Sequence, residues 1–146
     1  MTQYYIGTKQ IQAWPQDRDQ DGATVPGYAV KYPDGYISWS PAETFERAYL
    51  PMGESSDGSK ITKAMVEDFI TSYQVLTIEP KTTVVTATLA NGFALTEASA
   101  CVDPDNYDEG IGAHLCKEKI AAQVWMLLGF LLQTARHGIS QEPPTQ

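Results

Sequence analysis

The sequence is short of the residues that small secreted and zinc-binding domains depend on. Its two cysteines, Cys101 and Cys116, are too few for a disulfide scaffold and too isolated for a zinc site. We interpret both as small buried apolar residues in a reducing compartment. The two histidines, His114 and His137, have no serine or cysteine partner in a pattern typical of nucleophilic catalysis.

Positive charge and long apolar runs are also scarce. The chain has 10 Lys and Arg residues against 18 Asp and Glu, so its net charge of -8 excludes the basic surface of a duplex nucleic-acid-binding domain. The longest apolar run, 124–132, is far shorter than the roughly 20 residues that cross a bilayer. The N-terminus also lacks the pattern of a signal peptide. We therefore expect no membrane contact and a cytoplasmic location.

Several patterns resemble cofactor sites but lack an essential part. Asp17, Asp19 and Asp21 begin like a calcium loop, yet Tyr28 stands where a bidentate Glu is needed, which favours a polar hairpin loop. The glycines near 110 lack the strand–turn–helix context of a dinucleotide site. The acids within 103–109 suit the N-terminus of a helix better than a metal. We predict no cofactor and no metal.

With 42% hydrophobic residues the chain can bury a core, and its pattern of strands and helices indicates an α+β fold. In the first half, short edge strands are expected within 2–14, a polar loop over 15–27, and a hairpin over 28–39. A helix then follows, with Ser40 as its N-cap. In the second half we expect a helix from Thr62 to about 72, an extended segment over 73–78, and a hairpin through Asn91-Gly92. A last helix is expected from about 105 to 136.

These elements predict four segments along the chain. Residues 1–52 form a small hairpin-plus-helix module, 53–60 a linker rich in Gly, Ser and charge, and 61–138 an α-β-β-α domain. Residues 139–146 form a flexible tail.

The last helix is rich in apolar residues, more than two short strands and one small helix would cover. We therefore predict a homo-oligomer that forms through this long apolar C-terminal helix. The predicted interface residues are Ile120, Val124, Trp125, Leu127, Leu128 and Leu131.

Aromatic residues cluster in the first half and permit two interpretations. They form the core of a small module that has few aliphatic residues, or they form a surface on which flat rings stack. For the second case, the predicted ligand-binding residues are Trp14, Tyr36 and Trp39, with Arg47 and Lys81 as phosphate contacts. No catalytic residue is predicted.

The second half resembles a family of small tailed-phage proteins, named for the coliphage N4 gene-49 and Shigella phage Sf6 gene-66 products. The matching motifs are T-x-A-T-L-x-N-G-F, S-A-C-V-D-P-x-N-Y-D-E-x-I-G and K-I-x-x-x-V-W-x-L-x-G-F, within 61–133. The resemblance implies a phage or prophage protein and carries over no catalytic residue.

The first half is similar to a short module, G-Y-x-V-x-Y-x-D-G-Y-x-S-W-S-P-x-x-x-F-E-x-A-Y, found at the start of phage accessory proteins. Some of those proteins continue into a domain that resembles an anti-defence protein that sequesters nucleotide-derived immune signals. In this chain the gene-49-like domain stands in place of that domain. The resemblance implies an anti-defence protein of the host bacterial cytoplasm that binds such a signal. The alternatives are a module that binds or inhibits a host protein and, third, a hydrolase with a metal held by the acids of 103–109.

Overall fold

The protein is described by a computed structural model that covers residues 1–53, 55 and 57–140. The chain divides into two compact units. The first unit is Met1–Pro51 together with the chain from Leu131 on, and the second unit is Met52–Phe130. The predicted linker and tail fall partly outside the described residues, at positions 54, 56 and 141–146.

The first unit is built on a three-stranded antiparallel sheet of order β1-β4-β5. A separate hairpin, β2 with β3, occupies the segment predicted as a polar loop, and its turn residues Asp21 and Gly22 have φ of 51° and 80°. Within 2–14 only β1 forms. The strands are β1 Gln12–Pro15, β2 Arg18–Gln20, β3 Ala23–Val25, β4 Gly27–Lys31 and β5 Ile37–Pro41.

The predicted first helix is confirmed as α1, Ala42–Ala48, but its predicted cap is wrong. Pro41 occupies the N-cap position, with no side-chain hydrogen bond to the helix. Ser40 still belongs to β5, where it pairs with Tyr28, and its hydroxyl donates to the carbonyl of Pro41 at 3.3 Å. The strand therefore continues one residue past the point where a Ser cap would start the helix.

The second unit begins with α2, Lys63–Phe69, whose predicted cap is confirmed because Thr62 Oγ1 accepts from the Met65 N–H at 3.3 Å. A three-stranded antiparallel sheet of order β6-β7-β8 follows. The Asn91-Gly92 hairpin is confirmed, with Gly92 at φ 87°. The sheet has three strands rather than two, because the extended segment pairs along β7. The strands are β6 Ile70–Ile78, β7 Thr82–Leu89 and β8 Ala94–Ala100.

The last helix, α3, spans Glu109–His137, after a 3₁₀ turn at Pro104–Asn106. It begins later than predicted because Tyr107 is extended, and Asp108 Oδ1 then accepts from the Ile111 N–H at 3.1 Å. Gly138, at φ 80°, ends the helix as predicted. Among the described helices, none combines the length and apolar character needed to span a membrane.

The core of the second unit lies between one face of its sheet and one stripe of α3. Val85, Ala87 and Leu89 alternate along β7 as buried residues, and the buried stripe of α3 includes Ile120, Val124 and Leu128. The prediction of an apolar helix is not supported, since His114, Glu118 and Lys119 of α3 are exposed. The α+β class itself is confirmed.

Candidate functional site

Two of the predicted ligand residues share one face of the first sheet. Trp14 of β1 and Trp39 of β5 both lie directly opposite Ala29 of the central strand, so all three side chains project to the same side. Neighbouring strands lie about 4.8 Å apart, which puts the two tryptophan positions roughly 10 Å from each other.

Positive charge borders the same face. Gln12, Lys31 and Ile37 form the next row on that side, two residues along each strand. From the β2–β3 hairpin, the Arg18 guanidinium lies 5.2 Å from the centre of the Trp39 ring. We call Trp14, Lys31, Ile37 and Trp39, with Arg18, the tryptophan face.

Trp39 is fixed by its surroundings, whereas Trp14 is accessible. The Trp39 Nε1–H donates to the Gln16 carbonyl at 2.6 Å, and the ring lies directly on Gly27. A Cβ at position 27 would overlap that ring and lie 2.6 Å from the Ser40 carbonyl oxygen. Trp14 keeps 41% of its surface exposed. The face therefore combines a rigid indole with an open one.

The other predicted ligand residues lie elsewhere. Tyr36, at the β4–β5 turn, stacks on Tyr32 with ring centroids 6.0 Å apart. Arg47 lines a shallow depression on α1. In the second unit, Lys81 donates from Nζ to the Val102 carbonyl at 3.1 Å. Of the five predicted ligand-binding residues, only Trp14 and Trp39 share a face of the sheet. The cations beside them, Arg18 and Lys31, were not predicted from the sequence. Strand register was the signal that could have identified Lys31.

The opposite face of the first sheet is covered by stacked aromatic rings. Phe45 of α1 lies between Tyr28, at 4.2 Å, and Tyr49, at 5.0 Å between ring centroids. The Tyr28 hydroxyl donates to Glu46 Oε1 at 3.0 Å, and this hydrogen bond to a carboxylate raises the pKa of Tyr28. Burial raises the pKa of Tyr49. These rings pack on one another, and each stays half-buried.

The second unit contains a polar cluster that the sequence did not predict. The Tyr107 hydroxyl lies 2.8 Å from Thr77 Oγ1 and 2.6 Å from Thr83 Oγ1. Thr77 Oγ1 also donates to Glu109 Oε2. Gly112 packs on Thr83 so closely that a Cβ there would lie 2.8 Å from the Thr83 Cβ. The cluster joins strands β6 and β7 to the start of α3.

The acids before α3 cap backbone groups, as predicted. Asp103 Oδ1 accepts from the Asp105 N–H at 3.0 Å, and Asp108 caps α3. Within the described part of the chain, no group of three or more His, Cys, Asp or Glu residues is arranged to hold a metal.

The residues predicted as an oligomer interface fall into two sets. Ile120, Val124 and Leu128 are buried within the chain itself, whereas Trp125 and Leu131 are exposed and Leu127 is half-buried. Only the exposed members can meet another molecule directly. The interface therefore stays a prediction, and its buried members cannot form the contact surface.

Comparison with known proteins gives one family match. The model of the family described as "Phage protein (N4 Gp49/phage Sf6 gene 66) family" matches residues 61–136, more than half of the 146 residues. The matched residues include every member of the polar cluster around Tyr107, which we call the Tyr107 cluster. The tryptophan face lies outside the matched residues. No curated protein and no solved structure matches the chain.

Proposed function

We propose that this chain, which belongs to the phage protein family of N4 Gp49 and phage Sf6 gene 66, is a non-enzymatic accessory protein that acts in the host bacterial cytoplasm. It binds a small nucleotide-derived signal, and this sequestration serves an anti-defence role. Neither duplex nucleic acid nor a membrane is its target. The observation that carries the proposal is the tryptophan face.

The chemistry of that face suits a ligand with a flat ring and negative charge. A base stacked on an aromatic side chain contributes roughly 1–3 kcal/mol to binding. A base on Trp14 would bring its phosphate towards Lys31, which lies one strand over and one row along. Arg18 adds a second cation beside Trp39, in a chain of net charge -8. Arg18 and Lys31 replace Arg47 and Lys81 as the proposed phosphate contacts.

The test is a thermal-shift screen against cyclic di- and trinucleotides and ADP-ribose derivatives. A ligand present at about 100 times its Kd adds about 2.7 kcal/mol of stability, which raises the Tm by several degrees. We expect Trp14→Ala to reduce that shift strongly and Lys31→Ala to reduce it in part. Phe93→Ala is the matched control, because Phe93 is an aromatic residue that is 56% exposed and belongs to the second unit.

A shift that survives Trp14→Ala but disappears in Phe93→Ala would contradict the proposed site. A flat panel would favour the second candidate, a host protein bound on the same face. Exposed Trp14 supports that candidate, because tryptophan is among the residues that carry most of the energy of protein interfaces. Under it, Trp14→Ala would abolish capture of a defined host protein while the nucleotide screen stays flat.

A further inference from the structure

A second stripe of residues runs along α3, opposite the stripe that packs on the sheet. Ile111, Leu115, Ala122 and Met126 are all exposed, and Ile111 and Met126 keep 63% and 66% of their surface open. At 100° per residue these four positions lie within about 60° of one another, on the side of the helix away from Ile120. Glu118 and Lys119 lie between them along the chain. We call these six residues the outer stripe.

The spacing of the outer stripe is palindromic. From Ile111 the steps along the chain are four, three, one, three and four residues, ending at Met126. An antiparallel pair of identical helices related by a two-fold axis brings each position opposite its mirror position. With the axis between Glu118 and Lys119, Ile111 faces Met126 of the other copy.

The paired side chains also complement one another in size and charge. Leu115 meets Ala122 of the other copy, so a large residue faces a small one, as in close helix packing. Glu118 meets Lys119 of the other copy. Lys119 donates from Nζ to the Ala98 carbonyl at 3.2 Å, and its ammonium retains further donors for a carboxylate. A parallel pair would instead bring Glu118 against Glu118 and Lys119 against Lys119.

We infer that α3 forms an antiparallel, two-fold symmetric dimer with a second copy of this chain through the outer stripe. The outer stripe is one helix face wide and about four turns long. Two copies paired along it, with their flanking residues, bury on the order of 1,000 Å², at the low end for specific complexes. We therefore expect a weak dimer that forms in a concentration-dependent way.

Sedimentation equilibrium over a concentration series tests the surface. The wild-type protein should pass from monomer to dimer, and Ile111→Glu or Met126→Glu should weaken the dimer at least tenfold, because each adds two carboxylates to the interface. Leu76→Glu is the matched control, since Leu76 is an exposed apolar residue of β6 in the same unit. Circular dichroism confirms that the variants fold. A strictly monomeric wild type, or a dimer weakened only by Leu76→Glu, overturns the inference.

Cysteine cross-linking tests the orientation. In a Cys101→Ser background, Leu115→Cys and Ala122→Cys are purified separately. A mixture of the two should form a disulfide-linked dimer under mild oxidation, whereas neither variant alone should do so. Efficient linking of Leu115→Cys to itself would indicate a parallel pair and overturn the antiparallel arrangement. Neither experiment involves the tryptophan face, so their outcome is independent of ligand binding.

Discussion

The two sheets have the same architecture but differ in the length of their strands and in the side chains that pack on them. Each has three antiparallel strands with a helix on one face, but the strands of the first sheet have 4 or 5 residues and those of the second have 7 to 9. Among the described residues, the buried apolar side chains of the first unit are Ala29 and Val30, whereas the second buries a continuous aliphatic core. The comparison shows that short strands provide too few inward positions for aliphatic packing, and that large rings take their place.

Each unit also contains a glycine that packs too closely on a neighbouring residue to leave room for a Cβ. Gly27 lies against the Trp39 ring, and Gly112 lies against Thr83. In the first unit the partner is an aromatic ring and a backbone carbonyl, and in the second it is a buried β-branched side chain. Neither site has room for a Cβ, so the two interiors share this requirement despite their different composition.

The largest expected effect comes from the aliphatic core. Ile120→Ala should lower the free energy of unfolding by about 2–5 kcal/mol, because Ile120 is fully buried and its removal leaves a cavity. Urea denaturation measures the loss. Val102→Ala, at a residue that is 94% exposed in the same unit, should change stability by less than about 0.5 kcal/mol. Equal effects of the two substitutions would mean that α3 does not complete this core.

The glycine contacts are expected to give the next largest effect. Gly27→Ala and Gly112→Ala should each cost about 1–3 kcal/mol through overpacking. Gly129→Ala is the control, because no atom lies within 4 Å of its Cβ position, and inside a helix it should stabilise by up to about 1 kcal/mol. Denaturation of the three variants under identical conditions compares them. If Gly112→Ala behaved like Gly129→Ala, the contact with Thr83 would not be tight.

Local signals predicted much of this fold, because they act within a few residues. The Asn91-Gly92 turn and the Thr62 cap were identified from adjacent residues, whereas the Ser40 cap was wrong because pairing with Tyr28 extends β5. The site was less predictable. Trp14 and Trp39 were identified by residue type, but their meeting across Ala29 depends on register over 25 positions of chain. The Tyr107 cluster likewise joins Thr77 to a residue 30 positions away.

The smallest expected effect is on the pH dependence of stability. It would sharpen the comparison because tyrosines of both units have a raised pKa. The pKa of Tyr28 is raised chiefly by its hydrogen bond to Glu46, and burial raises the pKa of Tyr49 in the first unit and of Tyr73 in the second. A raised folded-state pKa gives stability that is present below the ordinary tyrosine pKa of about 10 and is lost as pH rises through the folded value. Alkaline conditions should therefore weaken the fold.

Glu46→Gln isolates the contribution of the carboxylate to this behaviour. The substitution should lower the pKa of Tyr28 towards the ordinary value, and tyrosinate absorbance during an alkaline titration measures the change. Glu43→Gln, on the same helix, is the control. An unchanged tyrosinate titration in Glu46→Gln would show that the Glu46 carboxylate does not raise the pKa of Tyr28.

The division of the chain has a consequence for the order of events during synthesis. The second unit is one uninterrupted segment, Met52–Phe130, while the first unit combines Met1–Pro51 with the chain from Leu131 on. A ribosome releases the chain from its N-terminus, so the second unit has all its residues before the first one does. The strands of the N-terminal sheet are therefore all synthesised early, whereas the unit that contains them gains its last residues only at the end of synthesis.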